Sequence, residues 1–376
     1  MDLLEIRDQI DEIDDEILRL FEKRMGLCAD VADFKIRTGK KVFDKERELA
    51  KLKVLRSKAS TDFTRHGIQE LFQQIMSISR KLQYQLLARH GAAEVTEFEK
   101  VKELRKDGCT VVFQGVEGAY SFAAMQTFFE GNDIESFHVE QWKDAMEAIR
   151  DGRADYAVLP IENSTAGIVQ DIFDLLVEYD NYIVGEQVIR CEHALLGVPG
   201  AALSDIETVY SHPQALMQCR AFLDQYPGWV QEKWLNTAGA AKKVAEEGKK
   251  SQAAIASEHA AKFYGLQVLA RDIYTNAENS TRFIIVAKEK IYTEHAGKIS
   301  VFYELPHENG SLYNSMGHFV YNGLNMTKIE SRPLPGRNWE YGFFVDFDGN
   351  LSDGAVKNAI HGLKNETKNF RIIGNY

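Results

Sequence analysis

The sequence lacks several features that would indicate a secreted, membrane-bound or nucleic-acid-binding protein. In 376 residues there are only four cysteines, none of them in a CxxC pair: Cys28, Cys109, Cys191 and Cys219. This usage is typical of reduced thiols in a cytosolic protein. No apolar run approaches the ~20 residues of a membrane span. The net charge of −11 disfavours nucleic acids and anionic membranes as main partners.

The first residues also lack the pattern of a secretory signal. Asp2, Glu5 and Asp8 place acidic groups where a signal peptide carries basic ones. We therefore expect a cytoplasmic protein. The chain is long enough for two or three domains with ordinary cores.

The sequence opens with a long stretch of heptad spacing, from about Met1 to Ile36. Apolar residues alternate at intervals of three and four at Leu3, Ile6, Ile10, Ile13, Ile17, Leu20, Leu27, Val31 and Phe34. This spacing predicts a long helix that packs along its length against other helices. Arg24 occupies the position in this series that should be apolar. A guanidinium on such a seam is costly unless it meets a charged partner there.

Two further cations, Arg7 and Lys35, lie along the same predicted helix as Arg24. At 100° per residue, Lys35 falls within about 20° of the direction of Arg24, and Arg7 about 100° away from it. Arg24 and Lys35 are separated by about 16 Å along the axis, so they can flank one small anion. Arg7 is about 25 Å from Arg24 and reaches such a site only from a second, antiparallel copy of the helix. This predicts a helical dimer with shared anion sites; the alternative is solvated or surface-paired cations.

Two more helices are predicted, from about Asp44 to Lys58 and from about Arg65 to His90. Asp44, Arg47 and Glu48 share a face of the second helix, and Ser79 and Gln83 share a face of the third. Each position also has an ordinary explanation. The aspartate can be a helix N-cap, the adjacent arginine and glutamate surface charges, and the last two partly buried polar residues.

Taken together, residues 1–90 resemble the all-helical type of chorismate mutase. The matching polar positions are Arg7, Arg24, Lys35, Asp44, Arg47, Glu48, Ser79 and Gln83. The resemblance implies an interlocked dimer in which the partner chain supplies the first of these. It also implies a pericyclic conversion of chorismate to prephenate, which needs no nucleophile, metal or cofactor. The enzyme then holds a dicarboxylate in its reactive conformation and stabilises charge on the ether oxygen.

The same resemblance implies a role for each polar residue. The three arginines bind carboxylates or orient their neighbours, and Ser79 lies beside a carboxylate. Lys35 and Gln83 donate hydrogen bonds to the ether oxygen. The two acidic residues of the second helix fix the region of the ring hydroxyl.

Residues 91–108 are polar and predict a linker, part of it helical. From Cys109 onward, apolar β-type runs alternate with helical stretches, which argues for an α/β fold. The predicted strands are Thr110–Gln114, Ala157–Pro160, Ile183–Val188, Thr208–Tyr210, Ala253–Ala256 and Arg282–Val286. A stretch of this length suits two lobes with a cleft.

Four loops in this region carry polar or glycine-rich motifs. Gly115–Ser121 follows a strand and opens a helix, so its backbone N–H groups can cradle an anion. Pro160–Thr165 lies between a strand and a helix, whose N-terminus Asn163 or Ser164 can cap. Ser211-His212-Pro213-Gln214 repeats that arrangement, with the proline in the first helical turn. Asn279–Phe283 leads into a strand.

These motifs, with Tyr-Gly-Leu at 264–266, make residues 109–290 resemble prephenate dehydratase. The family fold is the two-lobed one of periplasmic binding proteins. The resemblance implies that Thr281 donates a hydrogen bond or proton to the leaving hydroxyl, with Glu162 and His212 as candidate relay partners. Arg282 binds a carboxylate or pairs structurally. The implied prephenate-binding residues are Tyr120, Ser121, Glu162, Asn163, Ser164, Ser211, His212, Gln214, Arg282 and Phe283.

Residues 297–376 predict a β-α-β-β-α-β order, which is ferredoxin-like, and resemble an ACT regulatory domain. Glu330-Ser331-Arg332-Pro333 matches the motif with which such domains of this family sense phenylalanine. The second half of the motif keeps Gly310 and Leu312 but has Ser311 and Tyr313 where the family has alanine and valine. Such domains usually pair between chains.

The sequence therefore predicts a homo-oligomeric bifunctional enzyme of phenylalanine biosynthesis. Its domains are chorismate mutase (1–90), a linker (91–108), prephenate dehydratase (109–290) and an ACT domain (297–376). We expect chorismate and prephenate as substrates, phenylalanine as a feedback inhibitor, and neither cofactor nor metal. Two alternatives are an arogenate dehydratase and a non-enzymatic amino-acid sensor.

Overall fold

A computed structural model describes residues 2–90, 96–334 and 336–376. The chain forms two compact units. The first combines Met1–Glu97 with Gly297–Ile372, and the second combines Phe98–Ala296 with Ile373–Tyr376. Residues 91–95 of the predicted linker lie outside the described residues.

Three helices begin the first unit: α1 (Leu3–Thr38), α2 (Lys45–Lys58) and α3 (Asp62–Arg89). Their ends follow from local chemistry. Asp2 and Glu5 form a capping box at the start of α1, and Gly39 ends the helix in a left-handed conformation with φ of 69°. The Asp44 side chain caps α2 by accepting from the backbone N–H of Arg47. The predicted helical N-terminal region is confirmed.

The heptad residues of α1 remain largely uncovered by this chain. Each of the nine predicted seam residues is between 37% and 62% exposed, although α1 also packs against α3. Single exposed apolar residues are normal on a protein surface, but a continuous row of nine is not. The chain's own helices therefore do not provide the packing that the heptad pattern predicts.

The second unit is α/β, as predicted. In chain order its elements are β1 (Glu99–Val101), β2 (Cys109–Gln114), α4 (Tyr120–Phe128), β3 (Ile134–Val139), α5 (Trp142–Arg150), β4 (Tyr156–Asn163), β5 (Gly167–Ile168), α6 (Gln170–Glu178), β6 (Tyr182–Arg190), β7 (His193–Gly197), a 3-10 turn (Leu203–Asp205), β8 (Thr208–Ser211), α7 (Pro213–Gln218), α8 (Arg220–Leu223), β9 (Val230–Lys233), α9 (Thr237–Glu247), β10 (Gln252–Ser257), α10 (Glu258–Tyr264), β11 (Gln267–Ala270), β12 (Ser280–Ala287) and β13 (Ile291–Thr293).

Two mixed sheets divide this unit into two lobes. The first has the strand order β3-β2-β4-β12-β6 and the second β11-β7-β10-β8-β9. The chain crosses to the second lobe between β6 and β7 and returns between β11 and β12. Separate apolar cores support the first sheet, around Phe113 and Ile285, and the second, around Leu196 and Ile255. The two crossing segments bring Cys191, His193 and Asn279 to the junction of the lobes.

The first unit is completed by β14 (Lys298–Glu304), α11 (Ser311–Val320), β15 (Met326–Pro333), β16 (Tyr341–Asp348), α12 (Gly354–Glu366) and the first part of β17 (Lys368–Asn375), whose residues from Ile373 onward belong to the second unit. Their order is the predicted β-α-β-β-α-β, and the strands are arranged β15-β16-β14-β17. Helix α12 packs against both α11 and α3. The helical N-terminus and this α/β segment therefore share one compact unit.

Two local predictions were wrong. The predicted linker is not helical at Glu99–Val101, where β1 pairs in parallel with β13. The segment from Pro160 does not open a helix, because β4 continues to Asn163 and then turns back into β5. Asn163 consequently caps no helix; its Oδ1 accepts from the backbone N–H groups of Thr165 and Ala166 within this turn.

Within the described ranges, no helix is both long enough and apolar enough to cross a membrane. The same residues contain no group of three or more His, Cys, Asp or Glu side chains arranged to hold a metal ion.

Candidate active sites

The helical unit contains a polar cluster between α1 and α3, and Arg24 lies at its centre. The Arg24 guanidinium donates hydrogen bonds to Ser79 Oγ and to the carbonyl oxygen of Ile75 at 3.4 Å. Ser79 is buried, and its hydroxyl also donates to the carbonyl oxygen of Ile75 at 2.6 Å. The seam arginine thus has polar partners, which removes most of the cost of placing it there.

Lys35 occupies the other end of the same cluster. Its Nζ donates to Gln83 Oε1 at 3.0 Å and to the carbonyl oxygen of Val42 at 2.7 Å. Burial and the nearby charge of Arg47 lower the pKa of Lys35, while Asp44 and Glu48 act in the opposite direction. Seven of the eight predicted mutase residues therefore belong to one cluster. Four of them form hydrogen-bonded pairs, Arg24 with Ser79 and Lys35 with Gln83. The other three, Asp44, Arg47 and Glu48, act electrostatically on Lys35.

Arg7 is the one predicted mutase residue that lies away from the cluster. It is exposed near the start of α1, about 25 Å along the axis from Arg24. The described chain does not bring it to the other seven residues. This is the separation that led us to expect it from a second copy.

The second unit brings Thr281 to a different polar site. Thr281 lies on β12 opposite Asn163 of β4. Its Oγ1 accepts a hydrogen bond from Asn163 Nδ2 at 2.9 Å and lies 3.1 Å from Cys191 Sγ. Burial raises the pKa of the Cys191 thiol, so the thiol stays protonated at neutral pH. Because Asn163 occupies a lone pair of the threonine oxygen, the hydroxyl hydrogen can be directed to another acceptor.

A chain of hydrogen bonds connects Asn163 to the second lobe. Asn163 Nδ2 donates to Asn279 Oδ1 at 2.9 Å, and Asn279 Nδ2 donates to Gln218 Oε1 at 3.1 Å. Gln218 Oε1 lies 2.9 Å from His193 Nε2, and His193 Nδ1 lies 2.9 Å from the Tyr120 hydroxyl. Burial lowers the pKa of His193, so the imidazole is neutral at pH 7. It then donates from Nε2 and accepts from Tyr120, which fixes every donor in the chain.

Arg282 belongs to a separate group on the opposite face of β12 from Thr281, because successive side chains of a strand alternate. Its guanidinium contacts Glu162 Oε2 at 3.2 Å and Glu186 Oε2 at 3.3 Å. Of the two roles considered for Arg282, the geometry favours pairing with these carboxylates. Glu162 faces away from Thr281 by the same alternation, which disfavours it as a relay partner.

The hydroxyls of the other predicted dehydratase residues bind backbone. Ser121 Oγ donates to the carbonyl oxygen of Gln114 at 2.6 Å, and Ser211 Oγ donates to that of Ile255 at 2.6 Å. Ser164 Oγ donates to the carbonyl oxygen of Glu278 at 3.1 Å. These bonds hold the three loops that carry the serines, and the bond of Ser164 ties its loop to the segment that leads into β12.

The remaining two predicted dehydratase residues that carry polar side chains lie at the start of α7. His212 is its N-cap and accepts from the backbone N–H of Gln214 at 3.2 Å. Partial burial lowers the pKa of His212, which favours the neutral ring that such a cap needs. Phe283 is buried in the core of the first lobe, where it supports β12.

The predicted effector residues lie on two elements of the first unit. Glu330, Ser331 and Arg332 are on β15, where they pair with β16, and Gly310 is the left-handed N-cap of α11 with φ of 78°. A cavity of about 280 Å³ lies beside the second group, lined by Leu305, Pro306, His307, Glu308, Asn309, Ser311, Leu312, Trp339, Glu340, Tyr341 and Phe343. Leu312 thus lines a cavity, while the β15 segment lies along the far edge of β16.

Sequence reasoning missed Cys191, His193, Gln218 and Arg80 as site neighbours. Gln218 had a detectable signal, because it follows Gln214 by four residues on the same helical face. Cys191 and His193 had none, since the segment between β6 and β7 carries no periodicity. Arg80 was missed because it looked like surface charge; it donates to Glu48 Oε2 at 2.5 Å.

Comparison with known proteins agrees with this division into a helical site and an α/β site. Residues 6–84 match the family model of chorismate mutase type II, and residues 111–291 match that of prephenate dehydratase. The described fold and sites define a two-site enzyme, an isomerase joined to a lyase.

Three similar proteins make the assignment specific. A bifunctional chorismate mutase/prephenate dehydratase of Escherichia coli strain K12 is 32% identical over 381 residues, which cover 100% of this chain and 96% of that protein. An arogenate dehydratase/prephenate dehydratase 2 of Arabidopsis thaliana is 38% identical over 71% of this chain and 72% of its own length. The structure of prephenate dehydratase in complex with L-Phe from Arthrobacter aurescens has 32% identity and a TM-score of 0.66, covering 71% of this chain and 89% of that one. The chain belongs to the family of bifunctional chorismate mutases/prephenate dehydratases.

Proposed function

We propose that the protein catalyses two consecutive steps of phenylalanine biosynthesis. Chorismate rearranges to prephenate in the helical site, and prephenate loses carbon dioxide and water in the α/β site to give phenylpyruvate. The observation that carries this proposal is the full-length similarity to bifunctional relatives, together with two separate polar sites that have the residue types each reaction needs.

The mutase step uses the cluster between α1 and α3. Arg24 and Arg47 neutralise the carboxylates of chorismate, with Ser79 beside one of them. Lys35 Nζ donates to Gln83 Oε1 at 3.0 Å, and Gln83 Nε2 donates to the carbonyl oxygen of Ser79 at 3.2 Å. The two side chains thus end at one place, and once chorismate replaces these contacts Lys35 Nζ and Gln83 Nε2 can donate to its ether oxygen as the C–O bond breaks. Donors aimed at charge that develops in the transition state stabilise that state.

The dehydratase step is assigned to Thr281. As the substrate carboxylate leaves as carbon dioxide, its bonding electrons enter the ring and the ring hydroxyl departs with a proton as water. The Thr281 hydroxyl, with its oxygen already bound by Asn163, is oriented to donate to that leaving oxygen. Hydrogen bonds that extend from Asn163 to Tyr120 hold this orientation.

A second copy of the chain completes the mutase site in this proposal. It would bring its Arg7 to the cluster and cover the exposed seam of α1. The seam offers apolar surface for such an association, because its nine exposed residues lie along one helix of 36 residues. Burial of such a row is what drives helix association in water.

We assign phenylalanine sensing to the β-α-β-β-α-β segment, as an ACT domain. Leu312 lines the cavity and Gly310 is the N-cap of the same helix, while Glu330, Ser331 and Arg332 lie on the edge strand β15. Pairing of such edges between two copies would bring the halves of the motif together.

Replacing Arg332 by alanine is expected to raise the phenylalanine concentration for half-inhibition of the dehydratase about tenfold or more, since one charge-assisted contact to a ligand carboxylate is worth on that order. Activity without phenylalanine should stay near wild type. The measurement is initial rate against phenylalanine concentration. Lys328→Ala, four residues earlier on the same strand face, is the matched control. Unchanged inhibition in Arg332→Ala would place the effector site elsewhere.

The proposed function is tested by feeding chorismate to the purified protein and measuring phenylpyruvate, with and without phenylalanine. We expect product, and less of it when phenylalanine is added. Prephenate and arogenate are supplied separately in parallel. Phenylalanine formed from arogenate faster than phenylpyruvate from prephenate would favour the arogenate alternative. Bound phenylalanine without product from any substrate would favour the amino-acid sensor.

A further inference from the structure

A buried group of charges lies where α3 meets the C-terminal helices of the first unit. Arg80 of α3 contacts two carboxylates at once. Its Nη1 donates to Glu48 Oε2 of α2 at 2.5 Å, and its Nε and Nη2 donate to the two oxygens of Glu366 at 2.7 and 3.2 Å. The Arg80 side chain is only 8% exposed and that of Glu366 only 9%. One guanidinium therefore bridges α2 and the last turn of α12.

Glu366 is held in its ionised form by this arrangement. Burial alone would raise its pKa, but His318 at 3.3 Å and the Arg80 guanidinium lower it to about 2. Breaking a buried ion pair by removing one partner leaves an uncompensated charge, which is strongly unfavourable. Separating Arg80 from Glu366 would leave a buried charge without a partner, so the position of Arg80 depends on the position of α12.

The surrounding helices are shaped to keep this contact close. A Cβ at Gly317 of α11 would collide with Lys81 Nζ, and one at Gly362 of α12 would collide with the His318 ring. Lys81 in turn donates to Ser77 Oγ at 2.9 Å and lies 4.3 Å above the Tyr321 ring. Small residues thus let three helices approach closely around the charges, which makes the packing stiff.

Glu48 faces the mutase cluster as well as Arg80. It contributes to the electrostatic environment of Lys35, and its side chain is only 25% exposed. The Arg80 guanidinium is fixed by two bonds to Glu366, so the Glu48 carboxylate that it binds has little freedom to change its direction. The position of Arg80 therefore sets the orientation of Glu48.

We propose that Arg80 is a positioning residue of the mutase site, that it orients Glu48 toward chorismate, and that Glu366 makes this orientation depend on the C-terminal β-α-β-β-α-β segment. The inference rests on the proposed mutase function, because Glu48 is assigned there to the ring hydroxyl region. It assigns to Arg80 and Glu366 a role in the first reaction, although neither contacts the substrate.

The test is Glu366→Gln, which keeps the shape of the side chain and removes its charge. Arg80 is then attracted by Glu48 alone and draws that carboxylate away from the substrate. Because Glu48 binds the substrate in the ground state and transition state alike, we expect the KM for chorismate to rise about tenfold with little change in kcat. Loss of folded protein would instead lower kcat at constant KM. Dehydratase kinetics with prephenate should not change.

Two further variants provide a second test of the positioning role and a control. Arg80→Lys keeps the charge but cannot bind Glu366 through two parallel bonds as the guanidinium does, and it should also raise the KM for chorismate. Lys45→Gln is the matched control, since Lys45 joins α2 to the same C-terminal segment through Glu308 at 2.7 Å, but both side chains are about half exposed. An exposed pair contributes little, so its KM should remain within about twofold of wild type.

A double-mutant cycle separates this inference from the proposed function. If Glu366 acts through Glu48, Glu366→Gln should have no further effect on KM in a Glu48→Gln background. An undiminished effect there, or an unchanged KM in the single Glu366→Gln variant, would overturn the positioning role while the mutase function stands. A wild-type protein that does not convert chorismate at all would overturn the mutase function itself.

Discussion

Replacing Arg24 by alanine is expected to lower mutase activity by about 10³-fold, the loss that follows removal of a preorganised charge-stabilising donor. Arg24 holds Ser79 and the middle of α3 through its guanidinium, and no other cation of the cluster occupies its place on the seam. Dehydratase activity with added prephenate should be unchanged, because Thr281 lies in the other compact unit. The measurement is chorismate consumption and phenylpyruvate formation from prephenate on the same preparation.

Arg19→Ala is the control for Arg24, since Arg19 is on the same helix, 64% exposed and paired across the surface with Glu16. It should leave both activities near wild type. Equal loss of both activities in Arg24→Ala would indicate general misfolding and contradict the assignment.

A mixing experiment extends the prediction to the second copy. Arg7→Ala and Arg24→Ala should each be inactive as mutases, but mixed subunits form some dimers with one intact site. Random exchange would restore about a quarter of wild-type activity, since half the dimers are mixed and each has one of two sites complete. No recovery after exchange, with exchange shown independently, would mean that Arg7 acts within its own chain or not at all.

Replacing Thr281 by valine is expected to lower dehydratase activity by about 10²- to 10⁴-fold, the range for loss of a positioned proton donor. Valine preserves the branched shape on β12 while removing the hydroxyl that Asn163 binds. Chorismate mutase activity should be unchanged. Phenylpyruvate formation from prephenate, followed as kcat and KM, is the measurement.

Thr281→Ser and Thr127→Val complete the comparison. Serine keeps the hydroxyl and should retain most of the activity. Thr127 donates only to a carbonyl oxygen within α4, at 3.0 Å, so its replacement should have little effect. Dehydratase activity near wild type in Thr281→Val would remove Thr281 from any catalytic role.

The secondary structure and the helical site could be predicted because their determinants are local. Heptad spacing placed α1 and α3, and the shared faces of Asp44, Arg47 and Glu48 follow from one helical turn. β-type runs between glycine-rich loops placed the strands of the second unit. The failures at Pro160–Thr165 and Glu99–Val101 arise because pairing with a neighbouring strand decided those conformations, and a strand partner is not visible in a local window.

The supporting polar networks could not be predicted, for a different reason. Gln218, Asn279 and Asn163 come from three segments more than 50 residues apart, and only the fold brings their amides together. Arg80 and Glu366 are separated by 286 residues. A buried ion pair has no periodicity of its own, and Arg80-Lys81 on a helix resembles an exposed basic pair until the packing of α12 is known.

If a second copy covers the exposed seam of α1, as proposed, the stability of this helix depends on protein concentration. A lone chain keeps nine large apolar side chains in water along 36 residues, whereas association would bury them, so folding of this region and encounter between chains would be linked. Dilution would then act on the first reaction. In a cell that makes little of the protein, the flow of substrate into the branch would rise more steeply than the number of chains.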